Sequence, residues 1–210
     1  MTAAPGAPGP RGRGDGRRVV ANISLSLDGR TSGAAGPYDM GWIVPHAITD
    51  GARAHLARLT GATTTVLLGR LNYQGFGSYW PPVADDEAAD PRDRAFARWL
   101  DDVEKVVFSG TLDAVDWRNA RLAGADPVTT VRQLRRTPGG DIAILASSGV
   151  IRALLAADEV DRLSITLCPE VVGGGARLLD DGLPASSWRL VDATPTESGA
   201  LCLLHDRVRR

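Results

Sequence analysis

The residues most able to do chemistry sit where short apolar runs give way to small side chains. The first such place is Gly140-Asp141-Ile142-Ala143-Ile144-Leu145-Ala146-Ser147-Ser148-Gly149-Val150-Ile151-Arg152-Ala153-Leu154-Leu155. Ile142 to Leu145 follows a Pro138-Gly139-Gly140 turn and reads as a buried strand, whereas Val150, Ile151, Leu154 and Leu155 recur at helical spacing. Only Ala146, Ser147, Ser148 and Gly149 lie between them. A strand that enters a helix through small residues leaves the first helical N–H groups free and lets a ligand approach the backbone. The helix dipole then favours a phosphate at that point. The competing reading is an ordinary strand–helix connection capped by Ser147 or Ser148, since neither a full dinucleotide fingerprint nor a P-loop is present.

A second place follows Thr63-Thr64-Thr65-Val66-Leu67-Leu68, a β-branched and apolar run that reads as a central strand. It ends at Gly69-Arg70-Leu71-Asn72-Tyr73-Gln74, which sets a glycine and a guanidinium at a strand's carboxyl end, another anion-binding geometry. A third is Asp28, directly after the alternating residues Val19, Ala21, Ile23, Leu25 and Leu27. A carboxylate off a strand end is ordinarily a turn former; it is also where α/β enzymes place ligand-contacting groups. His46 and His55 have no partner at metal-ligand spacing and read as surface or capping residues. Cys168 and Cys202 show no zinc or CxxC spacing and read as reduced, buried thiols, so no metal site is expected.

The elements that must hold these residues suit one α/β domain, the default for 210 residues. With 24 basic and 25 acidic side chains, nothing directs the chain to nucleic acid or a membrane surface. No apolar run approaches the ~20 residues of a membrane helix, and no signal-peptide core is visible, so the cytoplasm follows by default. Met1 to Arg18, rich in Gly, Pro, Ala and Arg, reads as a disordered tail ahead of a domain over 19–210. A helix is expected over His46 to Leu59, stopped by Gly61. Gly75 to Pro82 reads as an aromatic surface loop in which Phe76, Tyr79 and Trp80 could wall a pocket. Arg94 to Asp102 reads as a helix with Phe96, Trp99 and Leu100 inward. Lys105 to Ser109 reads as a strand, Gly110 to Ala123 as a loop, and Asp126 to Leu134 as a helix. Val160 to Leu167, Trp188 to Val191 and Ala200 to His205 read as further strands. Early alternation of strand and helix argues a largely parallel sheet; late strands without helices argue an antiparallel edge.

Taken together, these stretches resemble the dihydrofolate reductase-like family and, within it, the riboflavin-biosynthesis reductase (RibD C-terminal) branch. The resemblance runs from Val19 to Arg207. It is carried by Ser26-Leu27-Asp28-Gly29, Gly69-Arg70 with Tyr73, Tyr79-Trp80-Pro81, Val106 to Leu112, Trp117-Arg118-Asn119, Val160-Asp161 and Pro169 to Leu178. It implies a central, mostly parallel sheet flanked by helices, with an antiparallel C-terminal hairpin. It also implies NADPH and hydride transfer to a C=N, C=O or C=C bond of a small heterocyclic or biosynthetic substrate. By position, Ala146, Ser147, Ser148, Gly149, Val150 and Ile151 would cradle the pyrophosphate. Gly69, Arg70, Leu71 and Ser109 would hold the adenosine ribose and its 2′-phosphate, and Ala21 would run beside the nicotinamide. Asp28 and Trp42 would face the substrate, with Tyr79 and Trp80 as further walls. The candidate proton donors are Asp28, Asp50 and bound water. The branch usually pairs, so a homodimer is expected.

The chain departs from the family's usual pattern at Ala146, where a glycine is usual, at Asn72, Gln74 and Gly110, and at Asp158-Glu159 and Arg162. Added bulk at Ala146 would crowd a pyrophosphate. These departures favour a competing reading in which the nicotinamide site is altered and the domain binds another ligand, such as a flavin, or catalyses a non-redox step.

Overall fold

The computed structural model describes residues 16–209. Eight strands form one sheet in the order β4-β3-β2-β5-β1-β6-β8-β7. The parallel body comprises β1 (Val19–Leu25), β2 (Thr63–Gly69), β3 (Glu104–Phe108), β4 (Ala120–Leu122), β5 (Asp141–Leu145) and β6 (Arg162–Leu167). β7 (Ser187–Pro195) and β8 (Leu201–Val208) close it as an antiparallel hairpin beside β6. This is the expected dihydrofolate reductase-like α/β architecture.

Helices cover both faces, which is why the central strands read as unbroken apolar runs rather than as alternation. On one face α5 (Pro127–Leu134) and α6 (Ser148–Ala156) bury Val131, Leu134, Ile151 and Leu154 against Ala21, Leu67, Ile142 and Ile144. On the other, α3 (Arg70–Val83) and α4 (Pro91–Asp102) bury Tyr73 and Leu100 against Val66, Leu68, Val107 and Ala143. α2 (Asp50–Thr60) packs on α4 and adds Leu59 to this second core. Each Val, Leu or Ile among these removed from water contributes about 1.5–3 kcal/mol. No helix among the described residues is long and apolar enough to cross a membrane.

Several expectations are corrected. Gly75 to Pro82 is not a loop but the body of α3. Its prolines, Pro81 and Pro82, fall in the last turn, where few helical bonds remain to be lost. Trp80 is spent in packing, edge-on to Phe96 at 4.6 Å between ring centres. The segment expected as one helix from His46 divides into α1 (Val44–Ala47) and α2, because Thr49 caps α2 by accepting from Ala52 N–H. The loop Gly110 to Ala123 contains edge strand β4, too short for alternation to show. Arg17 and Arg18 belong to the domain. Arg17 is 7% exposed, donates to the Gly140 carbonyl and to Thr64 and Thr65, and its own carbonyl accepts from Arg135. The rest of the expected tail, 1–15, lies outside the described residues.

His46 and His55 are buried rather than superficial. His46 sits between Ser198 Oγ at 2.8 Å and Glu170 Oε1 at 3.2 Å, tying α1 to the hairpin and to the loop after β6. His55, on α2, meets Ser164 Oγ at 2.7 Å. Burial, reinforced by Arg58 and opposed by Asp192, pushes His55 from 6.5 down to about 4. A folded-state value below the unfolded one gives a contribution fully present above about 6.5 and lost as pH falls through about 4. Urea unfolding at pH 6.5 and pH 4 should therefore show wild type losing about 2–3 kcal/mol more than His55→Gln over that range. Parallel losses would show that His55 does not titrate this way.

Candidate active site

The carboxyl ends of β2, β3 and β5 converge on a cleft of about 370 Å³ lined by residues 69–72 and 147–150 with Phe108 and Pro127. Two loci marked separately in the sequence, Gly69-Arg70 and the small residues after Leu145, thus face one another. Ser147 joins them. It is 3% exposed, and its hydroxyl accepts from Gly69 N–H and donates to the Leu145 carbonyl, both at 2.9 Å. Ser147 occupies the N-cap position of α6, yet its side chain makes no capping bond to the helix. Gly149 N–H and Val150 N–H have no partner among the described residues. Space beside Gly149 is open, so the first turn presents donors and the positive end of its dipole to the cleft.

Arg70 opens α3 on the opposite wall. Its guanidinium is exposed and, among the described residues, held only by Gln74 Oε1 at 3.0 Å, a bond easily exchanged for an anion. Ser109 accepts from Thr111 and Leu112 N–H, leaving its own proton to donate. Leu71 is half-buried in the cleft wall. Ile151 is fully buried and its N–H is spent on the Ser147 carbonyl, so it supports the cradle from behind. Ala21 is sealed in the sheet between β5 and β6 with its side chain fully buried; neither its backbone nor its methyl is left for a ligand.

The family model of the RibD C-terminal domain matches residues 17–202 of this chain. The chain belongs to the RibD C-terminal domain family. The Bacillus subtilis protein YyaP, itself uncharacterised, is 23% identical over 190 residues, 90% of this chain and 94% of that protein. A putative riboflavin biosynthesis protein from Shewanella sp. PV-4 superposes with a TM-score of 0.69 at 18% identity, over 91% of this chain and 99% of that one. Dihydrofolate reductase from Enterococcus faecalis, complexed with NADP(H) and RAB-propyl, superposes at 0.59 and 15% identity, over 91% and 97%. These likenesses bear out the expected fold.

This RibD C-terminal domain spends Asp28 on holding two loops together. One carboxylate oxygen takes the Ser26 hydroxyl at 2.7 Å and Val172 N–H at 3.1 Å, and the other takes Gly173 N–H at 3.0 Å and Arg30 Nε at 3.2 Å. These donors, Ser26 foremost, hold the Asp28 carboxyl well below the usual carboxylate range despite some desolvation. Nearby, Gly175 (φ +89°) leaves no room for a side chain, because a Cβ would overlap the Ser32 carbonyl. Asp50 lies elsewhere, at the exposed start of α2, paired with Arg92 at 2.7 Å. Trp42 lies in the single 3-10 turn Gly41–Ile43, and its Nε1 is buried without an acceptor among the described residues. Tyr79 and Trp80, on the last turns of α3, do not line the cleft; Tyr79 is exposed and stacks edge-on with Trp80 at 5.0 Å.

Ala146, where the family usually has glycine, adopts φ +50°. A left-handed alanine costs about 1–2 kcal/mol, partly offset by the lower unfolded-state entropy of alanine against glycine. Ala146→Gly should therefore raise stability by about 1 kcal/mol, a rise of roughly 2–4 °C in melting temperature for a domain of this size. Calorimetry checks it; an unchanged or lowered midpoint would show that the turn is unstrained.

Proposed function

We propose that the domain is an NADPH-dependent reductase acting on a C=N, C=O or C=C bond of a small heterocyclic or biosynthetic substrate. The observation carrying this reading is the diversion of the Ser147 hydroxyl to Gly69, which leaves Gly149 and Val150 N–H open beside the exposed Arg70 guanidinium. Dipole, free donors and guanidinium fit the pyrophosphate and 2′-phosphate of a dinucleotide. Reduction would draw its hydride from the cofactor, the one chemistry no side chain here supplies.

The chain's own part is binding and orientation. Gly69 and Leu71 form the wall opposite α6, while Ser109 offers a hydroxyl. Trp42 Nε1–H, without an acceptor among the described residues, would be a donor for a substrate acceptor. Asp28, held ionised by four donors, has no proton to give near neutral pH, and Asp50 lies on the surface in an ion pair. Bound water is therefore the proton source that remains of the three considered.

One observation favours the second reading, an altered site taking a flavin or serving a non-redox step. Ala146, at φ +50°, stands where the strand turns into α6, directly before Ser147 of the cleft wall. Thermal shifts with NADPH, NADH and FMN separate the two, since ligand at about a hundredfold excess over Kd stabilises by about 2.7 kcal/mol. A response to FMN without one to NADPH would replace the first reading.

Two further outcomes are expected. Arg70→Ala should weaken NADPH at least about tenfold while leaving NADH nearly unchanged, because a charge-assisted bond to the 2′-phosphate is worth ~1.5–3 kcal/mol. Equal losses for both cofactors in a titration would remove Arg70 from that role. The domain should also be a homodimer. Edge strand β7 exposes Leu190 and Val191, and the loop after β6 exposes Val171 and Leu179, apolar surface that a two-fold partner would cover. A monomer by light scattering at tens of micromolar would overturn this.

A further inference from the structure

We propose that a second cavity, beneath α2 at the amino edge of the sheet, binds a small oxyanion such as phosphate or a short carboxylate. The cavity holds about 210 Å³ and lies at the opposite ends of the parallel strands from the cofactor cleft. Arg18 precedes β1, Asp141 opens β5 and Arg162 opens β6, while His55 and Arg58 descend from α2 and Ser164 rises from the floor. None of these residues takes part in the proposed reduction.

The hydrogen-bond accounting gives the chemistry of the occupant. Ser164 Oγ accepts from Asn22 Nδ2 at 3.0 Å and meets His55 Nε2 at 2.7 Å. Ser164 is fully buried and its hydroxyl proton has no other acceptor among the described residues, so that proton goes to His55 Nε2. The ring proton of the neutral imidazole must then sit on Nδ1. His55 is 3% exposed, and Nδ1 has no acceptor among the described residues. A buried donor left unpaired costs about 1–3 kcal/mol, so an acceptor is called for.

The other groups around the cavity ask for the same partner. Arg18 Nε is buried and ion-paired with Asp141 Oδ2 at 3.2 Å, with no well-aligned hydrogen bond among the described residues. Arg58 is half-exposed and reaches Asp192 only at 3.5 Å. Arg162 spends Nε on Asp206 at 2.7 Å. Three guanidinium groups and one imidazole N–H thus face a single lining carboxylate, Asp141. A cation is disfavoured by that balance, and an apolar ligand would strand the donors. A small anion fits the charge and the volume, which equals that of several waters.

The test uses the full chain and measures melting temperature against inorganic phosphate and, separately, succinate, each compared with sodium chloride at equal ionic strength. Wild type should show a saturable rise with at least one of the two, and the arm that saturates names the class of anion. Half-saturation should move at least about tenfold in Arg18→Gln, the loss expected for one charge-assisted bond. Should Arg18→Gln fail to fold by circular dichroism, the half-exposed Arg58→Gln carries the same comparison, with a smaller shift in the same direction. A rise that is linear in both salts and identical in wild type and variants is general salt stabilisation, and would mean that water alone fills the cavity.

Discussion

The Ser147 hydroxyl is the hinge on which the cofactor cleft depends. One oxygen atom closes two backbone accounts at once, receiving the Gly69 amide and supplying the Leu145 carbonyl. It thereby fixes the carboxyl ends of β2 and β5 side by side. A serine at an N-cap normally contributes about 1 kcal/mol by bonding the helix below it. Here that bond is forgone, and the open donors of α6 become the chemistry of the site. Because Ser147 is buried, water cannot replace either bond if the hydroxyl is lost, so the cleft and the stability of this corner stand or fall together.

Much of this was legible in the sequence. The strand–small–helix pattern at 140–155 and the Gly69-Arg70 pair announced themselves because strands buried on both faces leave unbroken apolar runs, and small residues mark their ends. The late hairpin was legible from strands without intervening helices. What could not be read depended on partners far away in the chain. His46 is held by Ser198 and Glu170, and His55 by Ser164, each more than 100 positions distant. Asp28 was marked by its position, but its duty as a clamp comes from Val172 and Gly173. Gly and Pro in 75–82 argued for a loop, and the packing of Phe76 and Trp80 in the second core outweighed them.

The two edges of the sheet carry different burdens. At the carboxyl edge, loops after β1 and β6 are laced by Asp28 and by Leu27 N–H to the Glu170 carbonyl at 2.7 Å, leaving the cleft beside them open. At the amino edge, away from the cavity beneath α2, one carboxylate is consumed in structure. Asp161 takes Val19 N–H, Arg135 and Arg209, so the first strand and the chain's last described residue share one carboxylate. Breaking such a buried pair from one side is far more damaging than replacing both partners, which makes this edge rigid.

Lys105 is the sole lysine in the sequence, and none of its side chain is exposed. Its ammonium donates to the carbonyls of Leu100, Asp101 and Val103 and lies 4.8 Å over the Trp117 ring, closing the end of α4. The folded domain accordingly presents no side-chain amine to its surroundings. Acylating metabolites, amine-directed crosslinkers and enzymes that build isopeptide bonds on lysine find no lysine foothold until β3 and α4 come apart, so the single ε-amine doubles as a chemical record of whether the core has ever opened.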